Sequence, residues 1–127
     1  MVGIVLISHS APLAEEVAEL ACQIGGREAP IAAAGGTDDG GLGTSITKVA
    51  DAVAAVDRGQ GVVLLFDLGS AVLTAKTYLD EHPHAGVHLA DAPFVEGAIA
   101  ALVASAAGAN AKAVTAAAEE ARVVGKL

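Results

Sequence analysis

Aromatic residues are nearly missing from this 127-residue chain: two phenylalanines, one tyrosine and no tryptophan amount to 2%. The 54% hydrophobic content must then build a core from Ala, Val, Leu and Ile, and no aromatic platform is left on which bases or sugars could stack. Basic residues are few. Seven Lys and Arg against fifteen Asp and Glu give a formal net charge of -8. That balance argues against nucleic acid or an anionic membrane surface as a partner and suits macromolecules that carry basic patches. The single cysteine, Cys22, excludes an intrachain disulfide. It falls on the apolar side of a helical pattern and is expected to be a buried thiol in a reducing compartment. Long apolar runs are lacking too: the longest, residues 98–107, is too short and alanine-rich to span a bilayer. The N-terminal run has no basic segment before it and ends in Ser-His-Ser, so no signal peptide is expected and the predicted location is cytoplasmic.

What is present is an alternation of buried-strand and helix patterns, and the length suits one domain over residues 1–127. Residues 2–7 are unbroken aliphatic or glycine, as in a strand covered on both faces. Ser8-His9-Ser10 follows, and Pro12 opens a helix with Leu13, Val17, Leu20 and Ile24 on one side, opposite Glu15, Glu16 and Glu19. Gly25-Gly26 stops it. A weak strand over residues 30–34 belongs at a sheet edge because of Pro30. After the Gly- and Asp-rich stretch 35–43 comes a helix with Ile46, Val49, Val53 and Val56 inward. Residues 62–66 form a second strongly apolar strand. Asp67-Leu68-Gly69-Ser70 then leads into a helix that Ser70 can cap, with Val72, Ala75 and Leu79 inward and Pro83 beyond its end. A short strand at 87–89 precedes a helix from Pro93, with Val95, Ile99, Leu102, Val103 and Ala106 as its apolar face. Asn110 caps a last helix reaching about Arg122. Four strand–helix units and one extra helix predict a three-layer α/β sandwich with a mainly parallel sheet, flavodoxin-like, in strand order 2-1-3-4.

In that order strands one and three are neighbours, and the crevice beyond their carboxyl ends is a topological switch point. His9 and Asp67 leave those two strands at the same edge. Ser10, the helix start at Gly43-Thr44-Ser45 and the helix start at Gly69-Ser70 open towards the same place. A carboxylate bonded to one imidazole nitrogen fixes the tautomer and leaves the other nitrogen nucleophilic. Helix N-termini and glycine turns offer N–H groups and a positive dipole end to phosphate. There is no G-x-x-x-x-G-K-[ST] loop, no complete G-x-G-x-x-G and no metal-binding carboxylate cluster, so binding and hydrolysis of a nucleotide are not expected. Transfer of a phosphoryl group onto His9 and away again requires none of these.

Four segments carry a resemblance that extends over essentially the whole chain: Ile7-Ser8-His9-Ser10, Leu42-Gly43-Thr44-Ser45, Asp67-Leu68-Gly69-Ser70-Ala71 and Ala92-Pro93-Phe94-Val95-Glu96-Gly97. Together they resemble the mannose-type enzyme IIA domains of the bacterial phosphotransferase system, and within them the DhaM family of dihydroxyacetone kinase phosphotransferase subunits. The resemblance implies that His9 is phosphorylated by the phosphocarrier HPr; the convergence at the strand ends makes Asp67 the residue expected to orient the imidazole and Ser10, Gly43, Thr44, Ser45, Gly69 and Ser70 those expected around the phosphate. It implies onward transfer to ADP held on a DhaL subunit, which phosphorylates dihydroxyacetone bound to DhaK. This chain would itself bind no cofactor or metal. HPr would be a separate protein, and the domain a homodimer, for which the small-residue face at 98–107 offers an additional reason.

Other readings compete with parts of this one. Asp67 can serve as a plain helix cap, and Thr44, Ser45 and Ser70 are capping residues by type. His82, His84 and His88 suggest a metal site, but no cysteine or positioned carboxylate completes it, and a solvated turn is the better account. Asp38-Asp39 reads as a turn. In place of the kinase subunit, the chain could be an enzyme IIA of a mannose-type sugar transporter, passing phosphate to a IIB protein. A non-catalytic module sensing a small anion is the rival from another class.

Overall fold

The computed structural model describes residues 1–127. The elements are β1 (Gly3–Ser8), α1 (Ala11–Gly25), β2 (Ile31–Gly35), α2 (Ile46–Val56), β3 (Val62–Phe66), α3 (Ser70–Glu81), β4 (Val87–Leu89), α4 (Phe94–Ala106) and α5 (Ala111–Glu120). The four strands form one parallel sheet in the order β2-β1-β3-β4, as the alternation predicts.

The alternation of side chains across a strand divides the core in two. Ile4 and Leu6 of β1, with Val63 and Leu65 of β3, face α1, α4 and α5. Val5 and Ile7, with Val62, Leu64 and Phe66, face α2 and α3. Central strands β1 and β3 are therefore buried along their whole length, which is why both read as continuous aliphatic runs. Pro30 lies just before β2, and Ile31, Ala32 and Ala33 are only half-buried, as suits an edge strand.

The helix faces differ from the hydropathy pattern in a consistent direction. On α1 the buried residues are Ala14, Val17 and Ala21, whereas Leu13, Leu20 and Ile24 are 40–59% exposed. On α4 they are Gly97, Ala98, Ala101, Leu102 and Ser105, with Val95 and Val103 largely outside. On α3, Ala71, Ala75 and Tyr78 go inward, and Val72 and Leu79 are only half-buried. The cause is close approach. A Cβ at Gly97 would lie 2.9 Å from Ala92 Cβ and 3.0 Å from Leu65 Cδ2, so α4 seats against the sheet only through small residues. Ser105 donates its hydroxyl to the Val2 carbonyl at 2.6 Å. Ala98, Ala101, Leu102 and Ser105 of the small-residue face at 98–107 are thus part of the chain's own core. Cys22 is half-buried rather than buried, packed at the margin of the same cluster.

The three remaining histidines hold no metal-like arrangement, and no group of three or more His, Cys, Asp or Glu side chains could hold an ion. Nor is the turn simply solvated. His84 Nε2 lies 2.9 Å from Asp57 Oδ2, and its Nδ1 accepts the Gly86 N–H at 3.1 Å. The imidazole therefore carries its proton on Nε2 and clasps the end of α2 to the turn before β4. This pairing with His84, with help from the Gly59 N–H, holds the Asp57 carboxyl below its ordinary value. His82 stacks on Tyr78. No helix is long and apolar enough to cross a membrane.

Candidate active site

The register of β1 against β3 pairs Ile7 with Phe66, so Ser8-His9 and Asp67 emerge side by side. His9 Nδ1 lies 3.0 Å from Asp67 Oδ1. The imidazole is one-quarter exposed and the carboxylate only 9%. Asp67 collects four donors: the imidazole and the Leu68 N–H (2.7 Å) on Oδ1, the Ser8 hydroxyl (2.9 Å) and the His9 N–H (3.0 Å) on Oδ2. Burial pushes this carboxyl upward, but the bonds from His9, Ser8 and Leu68 outweigh it and hold it below its ordinary value. A fully ionised acceptor requires a proton on Nδ1, which leaves the Nε2 lone pair pointing outward.

Nε2 faces the Ser70 hydroxyl at 2.9 Å. Ser70 is therefore not the cap of α3: Gly69 holds that position without a side-chain bond. The N–H groups of Gly69 and Ser70 have no backbone partner, so an anion attached at Nε2 would meet two unpaired donors and a hydroxyl at a helix N-terminus.

The other expected phosphate-binding residues stand close by but are engaged elsewhere. Ser10 caps α1 through Leu13 N–H, and its own N–H goes to Ser8 Oγ. Gly43 gives its N–H to the His9 carbonyl at 2.9 Å, bracing the loop that carries the histidine. Ser45 caps α2 and bonds Asp38, and Thr44 pairs with the Thr74 hydroxyl. Asp38 and Asp39 lie in a turn. Gly35 is where β2 ends against the start of α1: a Cβ there would meet Ser10 O at 2.5 Å, so this close crossing admits glycine alone.

Sequence reasoning missed two kinds of residue. Ser8 passes for the last residue of an apolar strand, although a buried hydroxyl next to a histidine was a usable signal. Arg122 was hidden by distance along the chain, whereas Lys48 and Lys76 are the cations nearest the site loops in the sequence. Lys76 lines a cleft of about 420 Å³ with Asp67 and Asp91, and Arg122, from the far end of the chain, bonds Asp91 at 2.8 Å. Lys48 reaches the Gly35 carbonyl. The site rim is thus less bare of positive charge than its own loops imply.

The chain matches known proteins along most of its length. Residues 3–115 match the EIIA-man family model, described as the PTS system fructose IIA component. The chain is 40% identical over 116 residues to the phosphoryl donor subunit DhaM of the PEP-dependent dihydroxyacetone kinase of Providencia stuartii, covering 87% of this chain and 24% of that protein. For the Escherichia coli protein of the same name the figures are 41%, 87% and 25%. With the DhaM of dihydroxyacetone kinase 2 from Listeria innocua, the identity is 38% over 83% of this chain and 86% of that one. The chain therefore spans about a quarter of the first two relatives and most of the third. A crystal structure of a protein of unknown function, EF1359, superposes with a TM-score of 0.83 at 32% identity, covering 94% of this chain and 95% of the other.

Proposed function

This chain belongs to the EIIA-man family, the PTS system fructose IIA components, and from that premise we propose that it is the phosphoryl-donor subunit of a phosphoenolpyruvate-dependent dihydroxyacetone kinase. It takes a phosphoryl group from phospho-HPr onto His9 and passes it to ADP on a DhaL subunit, with DhaK holding the final substrate. It works in the cytoplasm as a homodimer, and binds no cofactor of its own. The observation that carries this reading is the His9–Asp67 pair, with Nδ1 3.0 Å from the carboxylate and Nε2 turned to the Ser70 hydroxyl.

In the loading step the Ser70 hydroxyl turns off Nε2, whose lone pair attacks the phosphorus of phospho-HPr. The new N–P bond forms as the old one breaks, and the electron pair of the old bond returns to the imidazole of HPr. Positive charge grows on the His9 ring, and Asp67 stabilises it through Nδ1–H. The phosphoryl oxygens can then accept from Ser70 Oγ and the N–H groups of Gly69 and Ser70. Onward transfer is the same in-line displacement, with an oxygen of ADP as nucleophile and the His9 imidazole as leaving group.

The test is incubation with enzyme I, HPr and labelled phosphoenolpyruvate. An acid-labile, base-stable adduct should form that His9→Ala abolishes, and the label should move to ADP when DhaL is added. Label retained by the Ala variant would remove His9 from the mechanism. Delivery only to a transporter IIB protein would make the chain a sugar-transport component, and no adduct on the wild type would leave an anion-binding module.

A further inference from the structure

We propose that Ser8 is a positioning residue for phosphoryl transfer: its hydroxyl orients the Asp67 carboxylate, which in turn holds His9 in one tautomer. The proposal rests on His9 being the phosphoryl acceptor. Ser8 ends β1 and is completely buried, in line with Ile4 and Leu6 on the face otherwise built from aliphatic side chains. A buried hydroxyl is costly unless it is bonded. Of the three buried polar residues, Ser45 caps α2 and Ser105 ties α4 to Val2, just before β1. Ser8 bonds the carboxylate that holds the His9 ring, whereas the carboxylate bonded by Ser45 is that of Asp38, in a turn.

Its hydroxyl is committed at both ends. The oxygen accepts the Ser10 N–H at 3.0 Å, and the proton goes to Asp67 Oδ2 at 2.9 Å. Ser10 starts α1, so the oxygen is fixed by the backbone and the direction of its proton is dictated. This matters because a carboxylate turns about a broad, weakly restrained terminal torsion. Its plane must be set by outside donors. Oδ2 has only two, the Ser8 hydroxyl and the His9 N–H. With Ser8 removed the carboxylate can pivot, and the bond from Oδ1 to Nδ1 loosens with it.

Ser8→Ala and Ser8→Thr decide the matter through two readouts. Nitrogen chemical shifts of the His9 ring should show a single Nδ1–H tautomer in the wild type and a mixture in the Ala variant, with Thr restoring the single form. The rate of phosphorylation by phospho-HPr should fall about tenfold in the Ala variant, the range for one hydrogen bond to a charged group. The acid limb of its pH profile should move to higher pH, because the charged carboxylate has lost a donor. His9 is the group bonded to Asp67. Lys76 and Asp91, which share its cleft, are unaltered by the substitution. If the Ala variant does not fold, Ser8→Cys keeps the volume and replaces the hydroxyl by a weak donor, with the same shifts expected. A folded Ala or Cys variant with the wild-type tautomer and pH profile would overturn the proposal. The spectrum is read on unphosphorylated protein, which separates the two failures: no label on the wild type overturns His9 as acceptor and the proposal with it, whereas label on the wild type with an unchanged tautomer in the Ala variant overturns the role of Ser8 alone.

Discussion

Replacing Asp67 with asparagine keeps the outline of the side chain and removes its charge. Four donors converge on the carboxylate. An amide offers one oxygen and one NH2 group, so in either flip a donor is set against a donor. With nitrogen at the Oδ2 position it opposes the His9 N–H. With nitrogen at the Oδ1 position it opposes the Leu68 N–H and drives the imidazole to the Nε2–H tautomer. Nε2 then donates to Ser70 and has no lone pair for phosphorus. A lost hydrogen bond to a charged group costs about 1.5–3 kcal/mol of folding stability, and the 9% exposure of Asp67 leaves little solvent screening. The rate consequence is larger. Holding the imidazole in the wrong tautomer costs about 10⁴-fold when the same exchange is made in a Ser-His-Asp triad, and a loss of several powers of ten is expected here. Single-turnover rapid quench with phospho-HPr measures the rate, and urea unfolding measures the stability. Their pH dependence is an internal check. Because the folded carboxyl lies below its ordinary value, its contribution is complete above about pH 4 and is lost as the pH falls through the folded value. The stability gap between wild type and Asp67→Asn should therefore close on acidification. Transfer at near wild-type rate would refute the reasoning and leave Asp67 as only a structural cap.

Two further outcomes test the rest of the reading. The loops at 8–12, 40–45, 67–70 and 91–94 contain no lysine or arginine, and Ser70 stands directly against Nε2. In Ser70→Arg a guanidinium bonded to the phosphoryl group would stabilise the loaded state by about 1.5–3 kcal/mol, so onward transfer should slow more than loading. Rapid quench of the two half-reactions checks this. Equal slowing would indicate a steric block, and faster onward transfer would contradict the argument. The homodimer should sediment at twice the 12.4 kDa of one chain; a monomer at micromolar concentration would exclude it.

The order of elements, the parallel sheet and the places of His9 and Asp67 at strand ends were legible in the sequence because each depends on local signals. A strand buried on both faces must be aliphatic throughout, and only β1 and β3 are. Turn glycines and the caps Ser45 and Asn110 act within a few residues of themselves. His9 was visible because it interrupts one such strand end, and Asp67 because it interrupts the other. The tertiary structure decided what depends on close approach between distant segments. Hydropathy placed Leu13, Leu20 and Ile24 inside α1, yet the gap between that helix and the sheet admits Ala14 and Ala21. Alanine scores weakly in any periodic pattern, so a face selected for smallness is read as no face at all. The same blindness hid the inward use of Ala98 and Ala101. Ser70 has the composition of a cap, and only the crossing of β1 beside β3 turns its hydroxyl onto His9. Ser8 reads as the end of a strand until Asp67 arrives from 59 residues away. Arg122 comes to the rim from the end of α5. Which nitrogen of His9 is free likewise depends on contacts made 58 and 61 residues away, and no local pattern encodes such a geometry.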